Sequence, residues 1–489
     1  MSAPESIGEF IAALERQGQL RRISEPVDPH LEVTALAEPV MKAGGPALVF
    51  DRVKGADCPL AINLFGSRER MGLALNVDDL DQLGGRLKDL MEVDLPDGLW
   101  GKIRTALPKL KDLAAFAPKK VKDAPCQEVV LTGEKASLEM LPVLTCWPQD
   151  AGPFITLPQV ITAHPESGKQ NFGMYRMQVY DPRTTGMHWH RHKGGAAHYR
   201  AAKEKGARLP VAVALGGPPA AVYAACAPFP EHLEETMLMG FLLGKPVKLV
   251  KALTSDLMVP AEAEVILEGY VDPAEPWRRE GPFGDHTGFY SLADDYPVFH
   301  LTAVTHRQNF IYPTTIVGRP PMEDFYLGLA TERLFLPLLQ SVLPEVRDYH
   351  MPAEGVFHNL VFVAIDKQYP GHAYKVMNAL WGQGQMMFAK IIVVVDATVN
   401  VQDPVEAWWE ALNHIDPQRD VLFSRGPADA LDHAAHLPWL HSKMGIDGTR
   451  KWPEEGFNRP WPERIVMTPE IQAAANAKLK KWGLLAGGR

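Results

Sequence analysis

A chain of 489 residues is too long for one hydrophobic core, so about two to four domains are expected, and its 46% apolar and 22% charged content is that of a soluble globular protein. A net charge of −9 leaves no basic face for nucleic acid, and four scattered cysteines (Cys58, Cys126, Cys146, Cys226) show no CxxC or zinc spacing and suit a reducing compartment. No secretory h-region opens the sequence and no apolar run reaches the ~18 residues of a transmembrane helix, so a cytoplasmic protein is expected, or at most one resting on a membrane surface.

Ser6-Ile-Gly-Glu9 forms a capping box that opens an amphipathic helix with Ile7, Phe10, Ile11 and Leu14 on one face and Gly18 beyond its end. Strand-like stretches at 20–23, 47–50 and 60–64 alternate with helical ones at 31–42 and 68–75, which reads as a small α/β domain. The lysine-rich, proline-interrupted stretch 102–122 reads as an exposed connection.

The middle third changes character. Stretches 155–163, 173–180, 187–190, 211–215, 221–225, 248–253, 263–271 and 298–306 are strand-like and joined by Gly/Pro/Asp turns, which points to a β-barrel or sandwich. Its one clear helix is 230–243, with Leu233, Met237 and Phe241 on an apolar face and Glu231, Glu234 and Glu235 near its start. Beyond Gly318-Arg-Pro-Pro321, helices at 324–343, 372–381 and 404–412 alternate with strands at 360–365, 391–395 and 421–423, a second α/β region. The terminal helix starts at Thr468 as N-cap, with Pro469 in its first turn. It carries Ile471, Leu479, Trp482, Leu484 and Leu485, more apolar surface than a solvated tail needs, so a homo-oligomer is expected. The chain divides into an N-terminal α/β domain (1–120), a central β domain (121–322), a C-terminal α/β domain (323–465) and the terminal helix (466–489).

The stretch from Glu280 to Phe289, Glu-Gly-Pro-Phe-Gly-Asp-His-Thr-Gly-Phe, looks most like chemistry. It sets Glu280 and Asp285 five residues apart among residues that forbid a regular helix. Two nearby carboxylates tend to separate in pKa, so one stays charged while the other carries a proton. The plain alternative is a solvent-exposed turn. A second polar cluster runs from Gln170-Asn-Phe-Gly-Met-Tyr-Arg176 to Met187-His-Trp-His-Arg-His-Lys-Gly-Gly195. On a regular strand His188, His190 and His192 share one face, either a solvated hairpin surface or a set of metal ligands. Lys193-Gly-Gly195 offers positive charge and close backbone approach, the ingredients of a phosphate site. Glu235 by itself reads as a solvated helix residue. No Walker or Rossmann fingerprint, nucleophile elbow, His-Glu-x-x-His or kinase set is present.

Taken in order, Asn171-Phe-Gly-Met-Tyr-Arg176, His192-Lys-Gly-Gly195, Glu235 and Glu280-Gly-Pro-Phe-Gly-Asp285-His-Thr-Gly288 resemble the UbiD family of decarboxylases. The resemblance extends over nearly the whole chain, through Leu20-Arg-Arg-Ile-Ser-Glu-Pro-Val-Asp-Pro29, Ala124-Pro-Cys-Gln127, Thr145-Cys-Trp-Pro148, Gly318-Arg-Pro-Pro321 and Ser442-Lys-Met-Gly-Ile-Asp447. It is closest to the 4-hydroxy-3-polyprenylbenzoate decarboxylase branch of ubiquinone biosynthesis. It implies an α+β multidomain fold with a central split β-barrel like that of flavin reductases, flanked by two α/β regions. It also implies prenylated FMN, supplied by a flavin prenyltransferase, with its phosphate held through Mn²⁺ or Mg²⁺ and often potassium nearby.

Carried over by position, Asn171, His192 and Glu235 match the metal site, and their O and N donors suit a hard divalent ion. Met174, Tyr175, Arg176, His188, Trp189, His190, Lys193 and Gly194 match stretches lining the flavin. Arg176, Glu280 and Asp285 match the catalytic network, with Asp285 as the acid that protonates carbon. Asp285 stands where some branches have Glu, and His188 and Lys193 where the family often has Arg. Two other readings share these motifs: a UbiD-type reversible carboxylase of a smaller aromatic acid, and a non-catalytic flavin- or metal-binding assembly protein.

Overall fold

The computed structural model describes residues 3–91, 115–190, 193–228, 234–437 and 439–484. They form two compact units, 1–367 with 371–449, and 368–370 with 450–489.

In the larger unit, Ser6 caps the helix Ile7–Arg16 by accepting the Glu9 N–H at 3.2 Å. The Glu9 carboxylate reaches back to the Glu5 N–H (2.8 Å), one residue short of a reciprocal box. Leu20–Ile23 and Ala47–Phe50 pair in parallel through the helix Glu32–Lys42, and Leu60–Ile62 follows. The sheet is completed by Tyr312–Pro313, so the chain returns to its first domain after the central one is built. A helix not read from the sequence, Asp81–Met91, packs on Glu323–Val342. Of the stretch taken as an exposed connection, 102–114 lies outside the described residues. Lys119–Val121 is instead a strand beside Lys248–Lys251.

The centre is a nine-stranded sheet, antiparallel throughout. Its inner strand Leu209–Leu215 is apolar at nearly every position because both faces are covered: Ala212 and Ala214 join one core, Val211 and Val213 the other. Three expectations are corrected here. Residues 221–225 are not a strand: 221–224 fall in the buried helix Pro219–Ala224, whose unbroken apolar run carries no period, and Ala225 is its C-cap. Residues 173–180 divide into Gln170–Met174 and Met177–Asp181, with Tyr175 and Arg176 in the break. Residues 187–190 form no strand, and the helix Gly194–Glu204 follows them. The helix expected over 230–243 is described from Glu235 to Leu243; residues 229–233, with Glu231 and Leu233, lie outside the described residues.

The last sheet of this unit runs Val346–His350, Leu360–Ile365, Ile391–Asp396, Leu440–Asp447, Val421–Pro427, with apolar cores on both faces. The smaller unit holds the helix Pro469–Lys481, capped by Thr468 Oγ1 accepting the Ile471 N–H, and no residue of that helix is buried. Ile471, Trp482 and Leu484 are 55%, 63% and 70% exposed; Leu485 lies outside the described residues. No helix among the described residues is long and apolar enough to cross a membrane.

Candidate active site

The break between the two strands at 175–176 releases Arg176 from the alternation of a regular sheet, and its guanidinium gathers three side chains. Nε donates to Glu280 Oε1 at 3.0 Å, Nη1 to Asp285 Oδ2, and Nη2 to Ser291 Oγ at 3.1 Å. Its Cζ lies 4.6 Å from the centre of the Phe283 ring. The acids come from a compact loop rather than a solvated turn. Arg278–Glu280 pairs with Asp294–Tyr296, and Phe283–Gly284 with Tyr290–Ser291. Gly281, at φ +85°, makes the bend between these ribbons in a conformation that a side chain would strain. Asp150 ties the loop down: its carboxylate accepts the N–H groups of Gly284 (2.7 Å), Trp147 (2.9 Å) and Cys146 (3.1 Å). Sequence reasoning passed over Asp150, although it lies two residues beyond the Thr145–Pro148 element.

Glu280 and Asp285 are 1% and 6% exposed. Burial alone would raise both carboxyls. For Asp285 the Arg176 charge and the His286 hydrogen bond outweigh it and hold the group far below the carboxylate range. For Glu280 the His188 hydrogen bond and Arg176 lower it. Both acids therefore stand as carboxylates.

His188 and His190 are engaged with each other and with Glu280. His188 Nδ1 meets Glu280 Oε1 at 2.7 Å, and its Nε2 meets His190 Nε2 at 2.6 Å, so the two rings are partners of each other and of the acid. Burial keeps both below their usual pKa, His190 at about 3. Trp189 packs on Tyr199, and a Cβ on Gly195 would come within 2.5 Å of its Nε1. His192 lies outside the described residues, and no group of three His, Cys, Asp or Glu arranged to hold a metal occurs among the described ones.

Two cavities meet at His286, the chain neighbour of Asp285; neither Glu280 nor Asp285 lines them. The larger, 1140 Å³, is lined by Asn171, Met174, Tyr175, Lys193, Gly194 and Glu235, among others. Lys193 is the N-cap of the Gly194–Glu204 helix, so the Lys-Gly-Gly element presents a helix amino terminus to this space. Gly194 is there because a Cβ would sit 2.1 Å from Asn171 Oδ1. Glu235 Oε2 accepts the Phe172 N–H at a long 3.4 Å, and burial raises its pKa. Asn171 Nδ2 is buried with no partner among the described residues. The smaller cavity, 690 Å³, runs along the Glu323–Val342 helix past Leu327, Thr331, Phe335 and Leu338. At its polar end are His286, Asp324, His358 and Asp429, and His286 lines both cavities. Burial holds the Asp324 carboxyl up at about 7.

Three domain models of one family cover the chain: the 3-octaprenyl-4-hydroxybenzoate carboxy-lyase N-terminal domain at 11–87, the Rift-related domain at 119–320 and the C-terminal domain at 325–448. The chain belongs to the UbiD family. It is an enzyme, a carboxy-lyase of that family. An uncharacterized protein of Archaeoglobus fulgidus is 50% identical over 477 residues, 97% of this chain and 98% of that one. The fold is similar to that of the UbiD-class enzyme HmfF from Pelotomaculum thermopropionicum in complex with FMN (30% identity, TM-score 0.80, 97% of this chain and 99% of that one). It is also similar to Sedimentibacter hydroxybenzoicus vanillic acid decarboxylase in closed form (28% identity, TM-score 0.84, 99% of each chain).

As a UbiD protein the chain implies a flavin phosphate and a metal, and the larger cavity fits them. A helix amino terminus, the Lys193 ammonium, the orphaned Asn171 amide and the under-paired Glu235 carboxylate all face one space, with O and N donors suited to Mn²⁺ or Mg²⁺.

Proposed function

We propose that the enzyme removes CO₂ from 4-hydroxy-3-polyprenylbenzoate to give 2-polyprenylphenol in ubiquinone biosynthesis, with prenylated FMN as cofactor. One observation carries the chemistry: Arg176 binds Glu280 and Asp285 in a single buried cluster, next to a histidine that lines both cavities. The tail is supported by the smaller cavity, whose apolar wall follows the Glu323–Val342 helix from Leu327 to Leu339, about 18 Å at 1.5 Å per residue. A bare benzoate ring would leave most of that space empty.

Asn171, His192 and Glu235 would hold a divalent metal, with potassium as a further ion, and Lys193 and Gly194 would supply positive charge and a helix amino terminus to the cofactor phosphate. Met174 and Tyr175 form the flavin wall. His188, Trp189 and His190 act one step behind it, through Glu280 and the Gly194–Glu204 helix. When bound, the prenylated flavin supplies an electron sink for the negative charge left on the ring as CO₂ departs. Glu280, fixed by His188, holds Arg176 in plane. Arg176 aims Asp285, and Asp285 delivers the proton to the ring carbon.

The nine-stranded sheet is read as a split β-barrel like that of flavin reductases, with domain limits near 120, 322 and 465. A flavin prenyltransferase is the expected cofactor supplier, and a membrane surface the expected source of a polyprenylated acid. A smaller aromatic acid is the second reading, favoured by the likeness to the vanillic acid enzyme. Both are tested by co-expressing the chain with a flavin prenyltransferase, identifying the cofactor by absorbance and mass, and measuring CO₂ release from prenylated and unprenylated hydroxybenzoates. Release from the prenylated acids alone supports the first substrate, release only from small acids the second. A fully loaded protein that releases none from either refutes both.

A further inference from the structure

A proton donor must be recharged after every turnover, and Asp285 is held here as the base. Its Oδ2 faces Arg176, a cation with no proton to give at any working pH. Among the described residues its Oδ1 is approached only by His286, through the backbone N–H at 2.8 Å and the ring Nδ1 at 2.9 Å. On the far side of that ring, His286 Nε2 lies 3.2 Å from His358 Nε2.

His358 arrives from another part of the chain, after the turn Ala353–Gly355. The two residues before it, Val356 and Phe357, have φ of 52° and 43°. The left-handed region is strained for non-glycine residues, and β-branched valine is among the least suited to it. Such conformations persist where the surroundings over-determine them, and they gather at functional sites. Here the strained pair seats the Phe357 ring 5.4 Å from that of His286 and brings His358 to its nitrogen. His358 Nδ1 is buried with no partner among the described residues, and both histidines line the 690 Å³ cavity.

We propose that His358 is a positioning and proton-relay residue for Asp285, sharing one proton with His286 across their Nε2 atoms while His286 passes its Nδ1 proton to Asp285 Oδ1. The inference rests on the decarboxylase reading and goes beyond it by naming the route of the consumed proton. The balance closes without a redox partner. The C–C bond to the carboxylate breaks, CO₂ leaves, the electron pair stays with the ring carbon, and the proton of Asp285 forms the new C–H bond. Asp285 then takes the Nδ1 proton of His286 as His286 Nε2 takes one from His358 and His358 takes one from solvent; this leaves His286 with Nε2 protonated and Nδ1 bare, and exchange with solvent returns the starting tautomer before the next turnover.

Charges around the pair favour the hop from His358 to His286, while the Arg176 charge opposes the last hop onto Asp285. His286 faces Asp285, Asp324 and Asp429, and His358 faces Asp429, Lys390 and Asp432. Burial opposes charge on both rings. The Asp285 hydrogen bond outweighs it for His286 and raises that group, whereas burial and the neighbouring His286 push His358 down to about 4. The shared proton therefore rests on His286, beside the acid.

The test is His358→Ala in the loaded enzyme, with His358→Gln, which keeps bulk and polarity but cannot ionise, as the second variant. A proton shared by two ring nitrogens is held more tightly than by one. The alkaline limb of the kcat profile should therefore move to lower pH by about one unit in either variant. The value of kcat should fall about 10–100-fold with KM nearly unchanged, less than for loss of the acid itself. Added imidazole should restore turnover to the alanine variant and leave the glutamine variant unaffected. In cofactor-free protein with ¹⁵N-labelled histidine, the His286 ring should titrate at lower pH in both variants. An unmoved His286 titration, or loaded variants with an unchanged limb and no imidazole response, would overturn the relay. Wild-type enzyme releasing no CO₂ from any acid would refute the decarboxylase reading instead, and the histidine titration would still decide whether the pair shares a proton.

Discussion

Two walls of the same site are built on opposite terms. Around Arg176 nearly every strong group has its partner within the protein: two carboxylates and a serine on the guanidinium, His188 on Glu280, His286 on Asp285, with Glu280 Oε2 alone in that cluster left without one among the described residues. Around Asn171 and Glu235 the pairing is poorer, with one buried amide nitrogen orphaned and one carboxylate that has, among the described residues, only its own backbone N–H and a long hydrogen bond from the Phe172 N–H. A buried polar group left unpaired costs about 1–3 kcal/mol, so the second wall is incomplete until something binds, whereas the first carries one such oxygen but is otherwise pre-organised by charge-paired hydrogen bonds. The catalytic cluster is thus built by folding, and the cofactor wall by its ligand.

The largest effect should come from breaking the finished wall. Arg176→Ala strands two buried carboxylates and should destabilise the fold by about 3–5 kcal/mol, measured by denaturant unfolding, and abolish decarboxylation. Its pH dependence has a definite sign. Glu280 and Asp285 titrate below their unfolded values in the wild type, so their stabilisation is full above about pH 4 and drains away as the pH falls through the lower folded values. In the variant, acidification should relieve the buried charges instead. Equal stability of the two proteins at neutral pH would show that the cluster is not pre-organised. Glu235→Ala attacks the open wall. It should lose metal and flavin while costing the cofactor-free fold less than about 1 kcal/mol. Full cofactor occupancy, read by metal analysis and absorbance, would remove Glu235 from the metal site.

Why one wall was legible in the sequence and the other only in part follows from their chemistry. Arg176, Glu280 and Asp285 fall in short ordered motifs that match a family, and the structure brings them together. His188 and His190 were read as one face of a strand, but no strand forms there and they bond to each other. The helix Gly194–Glu204 went unread because glycines at its start look like a loop, although they are what gives Lys193 its helix terminus. The strand Leu440–Asp447 was hidden by Lys443, which is 2% exposed and donates to the carbonyls of Met387, Ala389 and Pro427. Asp324 and His358 carry no local signal; only the fold brings them to His286 and the smaller cavity.

Smaller effects sharpen the contrast. Asp324 belongs to neither wall, and its carboxyl titrates at about 7 because burial disfavours the charge. A raised acid weakens the fold progressively from about pH 4, where the unfolded chain ionises, up to its folded pKa. Asp324→Asn should therefore stabilise the cofactor-free protein at pH 8 by on the order of 1–3 kcal/mol and have little effect at pH 4, as thermal unfolding would show. A gain that is equal at both pH values would contradict the ionisation account. The smallest effect on the site should follow removal of the terminal helix. Ile465, Val466, Ile471, Trp482 and Leu484 are exposed there, and we read them as covered by a second copy of the chain. Truncation after Pro469 should lower the mass seen by light scattering and leave the cofactor spectrum unchanged; an unaltered mass would remove that reading.

The central claim is that a pre-organised Arg176–Glu280–Asp285 cluster delivers a proton to carbon. Asn at 285 keeps size and hydrogen-bonding shape but has no acidic proton. The decisive measurement is CO₂ release, with deuterium incorporation into product in heavy water, by Asp285→Asn enzyme shown by mass to be fully loaded with prenylated flavin. Turnover should fall about 10²–10⁴-fold, and deuterium entry with it. Near wild-type turnover in the loaded variant would rule Asp285 out as the donor and leave its loop a shaping role alone.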